Sequence, residues 1–220
     1  MNRFEPRTTN NFCPDLQIDG ERHPITGDRY HKPDFTQPGN DAAEESIHFA
    51  TRESFLGLIL VAASEQGICA ILLGDNSKRL VAELRSRFPK ATLIAGDAGF
   101  EETVVKVVRA VETPGSKLDL PLDLRGTALQ RRVWHALREI PAGATVTYKE
   151  IAAKIGMSAT AQEVGEACAA NPLAVVVPCH RVVRADRSLA GYRWGINRKR
   201  ALLQKEQEAW PEPGTLFHAP

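Results

Sequence analysis

Residues 147–183 read TYKEIAAKIGMSATAQEVGEACAANPLAVVVPCHRVV, and this stretch organises the rest of the chain. Thr147 is followed three positions later by Glu150, the spacing at which two side chains cap a helix start reciprocally. That helix should run to Ile155 and stop at Gly156. Thr160 and Glu163 repeat the pattern and open a second helix through Ala170. Two short helices joined by a tight Gly-containing turn are a helix-turn-helix candidate, although any small helical domain can carry such a pair. The second helix and its entry are rich in small residues (Ala159, Ala161, Gly165, Ala167, Ala169, Ala170), which allows close approach of either another helix or DNA. Next, an apolar run delivers Cys179 between Pro178 and His180, with Arg181 and Arg184 nearby. A thiol attacks as thiolate, and imidazole or positive charge favours that state. On an extended strand, neighbouring side chains point to opposite faces, so a Cys179–His180 pair needs a bridging water or a strongly turned backbone. The alternative is a buried, inert cysteine beside a helix-capping histidine.

Working outward, Leu129, Val133, Leu137 and Ile140 make a helical stripe ended by Pro141-Ala142-Gly143. Further upstream, Phe55 to Ala63, a Ser64-Glu65-Gln66-Gly67 turn and Ile68 to Leu73 predict a β-hairpin. Leu80, Val81, Leu84 and Phe88 share one helical face, as do Phe100, Val104, Val107, Val108 and Val111. Leu118 to Leu122 reads as a short closing strand whose Pro121 suits an edge. Nothing in this half looks catalytic, which leaves it as scaffold. Residues 1–47 hold eight Gly/Pro and no period of 2 or 3.6, and are expected to form a mobile arm. Cys13, His23 and His31 there are a partial zinc set, short of the usual four ligands, and the simpler reading is an untethered terminus with no metal.

At 220 residues and 43% hydrophobic, the chain can bury a core, which excludes collagen, coiled coil and full disorder. The net charge of +1 is uninformative, but residues 123–208 carry 14 Lys/Arg against 8 Asp/Glu while residues 1–122 carry 14 against 18. A basic second half suggests a localised footprint for a polyanion such as nucleic acid. The four cysteines show no CxxC pairing and no basic-then-apolar leader precedes them, so a cytoplasmic chain with reduced thiols is expected. The longest apolar run is far too short to span a bilayer.

The segments PCHRVV (178–183), AANPLAVV (169–176) and GYRWGINRKRALLQKE (191–206) resemble the O6-alkylguanine-DNA alkyltransferase family, particularly the C-terminal domain of bacterial Ada. The likeness runs from about Gly67 to Glu208, through GICAILLGD, LPLDLRGTALQRRVW and PAGATVTYKEIAAKIG. It implies an α+β fold: an RNase H-like unit (48–122), a winged-helix-like helix-turn-helix unit carrying the chemistry (123–208), and a tail (209–220). It also implies a suicide DNA repair protein that moves the alkyl group of O6-alkylguanine, and less well O4-alkylthymine, irreversibly onto Cys179 without a cofactor. His180 then acts as base through a water, with Glu206 orienting it. Asn171 becomes the hinge between recognition helix and active-site loop. Tyr148 and Tyr192 match the base pocket, with Arg193 and Val182 assigned beside them, and Gln162 stands where the family's finger fills the gap left by the flipped base. The basic face offers Arg181, Arg125, Arg131, Arg132 and Arg193 as candidate DNA contacts. The implied partner is double-stranded DNA bearing the lesion, bound by a monomer that is nucleoid-associated when engaged, with no membrane contact.

Two departures stand out. The family keeps an arginine finger where this chain has Gln162, flanked by acidic Glu163 and Glu166, which implies weaker duplex handling or a drift toward damage sensing. Residues 1–47 are too short for the zinc and AraC-like units of full-length Ada, so transcription activation is not expected. The competing classes are an alkyltransferase-like damage binder, which lacks the reactive cysteine, and a cysteine hydrolase, for which no oxyanion hole is readable.

Overall fold

The computed structural model describes residues 45–116, 118–156 and 159–210. Most of the expected arm, including Cys13, His23 and His31, and nearly all of the expected tail lie outside these. Strands β1 (Ser46–Ser54), β2 (Gly57–Ser64) and β3 (Gly67–Gly74) form a meander, and β4 (Thr92–Ala95) adds in parallel to β1, giving the order β3-β2-β1-β4. The hairpin between β2 and β3 is where the two continuous apolar runs and the turn between them put it. β1 corrects the arm boundary: Ile47 is fully buried in the core, and Glu45 is ion-paired to Arg125. Its second half, Thr51-Arg52-Glu53, is exposed on both faces and dilutes the apolar signal. Helices α1 (Ser77–Arg87) and α2 (Ala98–Glu112) bury Leu80 and Leu84, and Val104, Val107, Val108 and Val111, the positions their 3.6-residue stripes present.

The far edge of the sheet positions the functional half. β3 leaves backbone groups unpaired on one side, and an exposed edge of this kind invites pairing. Two segments cover it. Ile68 N–H donates to Pro121 C=O (2.9 Å) and Asp123 N–H to Ile68 C=O (2.9 Å), while Ile71 N–H donates to Pro172 C=O (2.9 Å) and Ala174 N–H to Ile71 C=O (2.9 Å). The strand expected at Leu118 to Leu122 is thus a single bridge at Leu122, because Pro121 has no N–H to extend it. Gly67 makes this docking possible: at φ +135° it sits so close to Pro121 that a Cβ would lie 2.3 Å from the carbonyl oxygen.

The second half packs α3 (Ala128–Arg138), α4 (Tyr148–Ile155) and α5 (Ala161–Ala170) together, with α6 (Ile196–Ala209) behind the active-site segment. Both expected capping boxes form, Thr147 with Glu150 and Thr160 with Glu163, and Gly156 at φ +67° ends α4. Trp134 is fully buried and its indole N–H donates to Ala167 C=O (2.8 Å), tying α3 to α5. Two-residue strands β5 (Val146–Thr147) and β6 (Val182–Val183) pair in parallel, a feature too short to carry a sequence period. No helix among the described residues is long and apolar enough to cross a membrane.

Candidate active site

Asn171 ends α5 and starts the site. Its backbone leaves the helix at φ −53°, ψ 122°, and its side chain is fully buried. Oδ1 accepts from Leu173 N–H (2.9 Å), closing an Asx turn, while Nδ2 donates to Val177 C=O (2.9 Å) and lies 3.3 Å from the Cys179 sulfur. One amide therefore fastens both ends of residues 171–179. The loop needs fastening because Val175 sits at φ +66°, a left-handed backbone disfavoured for a β-branched residue. Cys179–Arg181 then form a 3-10 turn, so the extended-strand geometry assumed for Cys179 and His180 gives way to the strongly turned backbone.

His180 is fully buried, and its Nε2 lies 2.9 Å from Glu206 Oε1. Glu206 comes from α6, where Lys199, Leu202, Leu203 and Glu206 form the buried face. The Glu206 carboxylate also accepts Arg181 Nη2 (2.7 Å) and Nε (3.1 Å to each oxygen), and Gly143 N–H (3.3 Å). Burial alone would raise its pKa, but His180 and Arg181 overcome this and bring it down to about 2. A carboxylate ionised at neutral pH can only accept, so His180 Nε2 carries the proton. Nδ1 is then an acceptor, and it is buried with no protein partner among the described residues. Burial holds the His180 pKa below its usual value despite Glu206, which keeps the imidazole neutral at pH 7.

Cys179 is 4% exposed, and burial raises its thiol pKa, opposed by the Asn171 amide and by Lys199. The resting state is therefore a thiol. Deprotonation must be coupled to the reaction through a base. The reaction rate should be flat from neutral pH to about 9, because the thiol titrates above that range. It should fall only on the acid side of the ordinary histidine range, where His180 protonates. A pH–rate profile checks this, and a rate climbing steadily between pH 7 and 9 would mean a free thiolate reacts instead.

Tyr192, 9% exposed, packs edge-on to His180 (centroids 6.4 Å) and to Trp194 (5.2 Å). Tyr148 starts α4 and is buried, as is Val182 in β6. The positions expected at the DNA fare differently from one another. Gln162 is exposed in the first turn of α5, with its amide donating to Glu166 (3.1 Å). Arg131 is exposed on α3 and bonds Gly126 C=O, and Arg132 reaches Ile155 C=O (3.0 Å). Arg181 is mostly buried, bonded to Glu206 and to Ile140 C=O just past α3. Arg125 sits on the scaffold between Glu45 and Asp123, and Arg193 bonds Ala169 C=O and Glu83. Their long basic side chains read as surface in sequence, but here they bridge elements.

Sequence reasoning missed Lys199. It is fully buried, and its ammonium donates to Val182 C=O close enough to the centre to favour the Cys179 thiolate. It hides in the run Arg198-Lys199-Arg200, yet its helical register with Leu202, Leu203 and Glu206 was the available signal. A cavity of about 560 Å³ lies behind this centre, lined by Pro178, Arg181 and Glu206 but not by Cys179, Tyr148 or Tyr192. It is therefore not the base pocket.

The ribonuclease-like domain of 6-O-methylguanine DNA methyltransferase matches residues 47–124, and the DNA-binding domain of the same family matches residues 128–208. The chain belongs to the 6-O-methylguanine DNA methyltransferase family. It is 48% identical over 163 residues to the bifunctional transcriptional activator/DNA repair enzyme Ada of Escherichia coli, covering 74% of this chain but 46% of that one. It thus spans about half the length of that relative. It is 37% identical to the methylated-DNA–protein-cysteine methyltransferase of Mycolicibacterium paratuberculosis over 178 residues, 99% of that protein. The crystal structure of Mycobacterium tuberculosis OGT in complex with DNA superposes with a TM-score of 0.60 at 36% identity, covering 74% of this chain and 93% of the other. The mixed α+β architecture, a ribonuclease-like sheet unit followed by a helical unit, is that of the family.

Proposed function

We propose that this chain repairs O6-alkylguanine, and less well O4-alkylthymine, in duplex DNA by moving the alkyl group irreversibly to Cys179. The observation that carries the reading is the buried Glu206–His180 pair, ionised carboxylate to neutral imidazole, beside a buried thiol in a fastened loop. His180 Nδ1 takes the thiol proton through a water. The sulfur then attacks the alkyl carbon, a C–S bond forms, and the C–O6 bond breaks with its electron pair passing to the purine. The leaving guanine takes up a proton, the imidazolium gives up the one it received from the thiol, and both end neutral. No described residue of the site is placed to remove the thioether, so each molecule acts once. A buried sulfur cannot reach O6 in a stacked base, so the nucleotide must be extruded, with Tyr148 and Tyr192 at the receiving pocket and α5 at the groove. The protein acts as a monomer in the cytoplasm, on the nucleoid when engaged. Its test is stoichiometric: with lesion-bearing duplex in excess, one guanine should be restored per protein molecule. Multiple turnover, or none, contradicts the proposal.

The glutamine at position 162 should limit duplex handling, because it brings no charge to the groove and already bonds Glu166. Gln162→Arg is expected to tighten duplex binding and speed transfer from duplex, with the reaction of free O6-methylguanine unchanged. Glu163 is committed to the Thr160 cap, so the residue that would blunt the gain is Glu166, and adding Glu166→Ala should enlarge it. Equal performance of wild type and both variants on duplex would show that Gln162 intrudes adequately.

A further inference from the structure

Arg193 stands between Tyr192 and Trp194, in the wall of the proposed base pocket, and is gripped at two points. Its Nη1 donates to Ala169 C=O in the last turn of α5 (2.8 Å), and its Nη2 donates to Glu83 Oε1 on α1 of the scaffold (2.8 Å). The same Glu83 oxygen accepts Arg87 Nη2 one turn on (3.1 Å). Burial works against ionised Glu83, but the two guanidinium groups hold its carboxyl below the usual range. α5 has no basic residue in its own last turn, so Arg193 supplies both the donor and the cation that a helix C-terminus lacks. The rest of the wall has few polar anchors. The Tyr192 hydroxyl is buried with no partner among the described residues, Gly195 precedes α6 with no side-chain cap, and Arg198 bonds Trp194 C=O (2.9 Å).

We propose that Glu83 is a positioning residue for alkyl transfer: through Arg193 it fixes the Tyr192–Trp194 wall against the end of the recognition helix. A scaffold carboxylate thereby sets the geometry of a site to which the scaffold gives no reacting atom. The inference rests on the transfer reading above. It opposes the alternative that Arg193 is a phosphate contact held back by Glu83, and the two differ in sign. In the full-length chain, Glu83→Gln should lower the rate constant at saturating lesion duplex by about tenfold, since small misplacements of a substrate-positioning group are costly. Duplex Kd should stay within about twofold of wild type. Glu83→Asp should recover part of the rate, and Glu83→Gln should add no further loss to Arg193→Gln. Amide hydrogen exchange gives a reading independent of transfer: residues 190–195 should exchange faster in Glu83→Gln, with the scaffold strands unchanged. If wild type transfers no alkyl group, the function is misassigned, while the exchange result still decides the clamp. An unchanged rate, a tighter Kd with steeper salt dependence, unchanged exchange at 190–195, or faster exchange throughout the scaffold each overturns the proposal.

Discussion

Cys179→Ala is expected to abolish alkyl uptake while leaving the fold and duplex binding nearly intact. No other described cysteine can substitute. Burial pushes the Cys69 thiol up to about 12, with Asp123 adding to the effect, and it raises Cys168 well above its ordinary value. The cost of the change is small, because alanine removes one sulfur atom and its weak contact with Asn171 Nδ2 at 3.3 Å, while the Val177 and Leu173 bonds that close the loop remain. That loss amounts to about 1 kcal/mol, the net value of an ordinary hydrogen bond. Lesion loss from duplex and mass gain of the protein should both fall below detection in the variant, with the thermal midpoint close to wild type. Residual transfer in Cys179→Ala would place the nucleophile elsewhere.

Glu206→Gln should be nearly as damaging, for two separable reasons. A neutral amide no longer stabilises the imidazolium formed when His180 takes the thiol proton, and general-base assistance of this kind contributes about 100-fold or more. The amide can also donate to Nε2, which would move the ring proton to Nδ1 and remove the acceptor altogether. The second reason is structural. Arg181, with its side chain 11% exposed, would lose its carboxylate partner, and breaking a buried ion pair by removing one member costs about 3–5 kcal/mol. The pH dependence separates this from a generic lesion. Because the folded pKa of Glu206 is lowered from 4.5 to about 2, its contribution is fully present above pH 4.5 and is lost as pH falls through about 2. The stability gap between wild type and Glu206→Gln should therefore narrow across that window, by about 3 kcal/mol in all. A wild-type transfer rate at neutral pH, measured where the variant is folded, would reduce Glu206 to a structural residue.

The sequence carried local signals well and through-space commitments poorly. Capping boxes at Thr147 and Thr160, the valine stripe of α2 and the β2–β3 hairpin each follow from spacings of two to four residues, and each forms where expected. β1 leaves little trace in the sequence because only one of its residues, Ile47, is fully buried, and β4 because four residues are too few to establish a period. At the site, Cys179 and His180 were conspicuous by adjacency, but Glu206 entered only through family likeness: nothing in a Gln-Lys-Glu-Gln run marks one carboxylate as buried. The arginines misled for the same reason. Arg125, Arg181 and Arg193 are bridges whose partners lie 80, 25 and 110 positions away, and a linear reading assigns such residues to solvent or DNA. The role of the sheet was also hidden, since the bonds from β3 to Pro172 and Ala174 are made by backbone alone.

The central claim is that this centre performs one irreversible transfer to one named sulfur. It is tested most directly by incubating the intact chain with duplex carrying a single O6-methylguanine, weighing the whole protein, and mapping the modified peptide. The account predicts a gain of one methyl group per molecule, located on Cys179, with the lesion restored to guanine in equal amount. Unmodified protein with intact lesion, or a methyl group on any other residue, would contradict it.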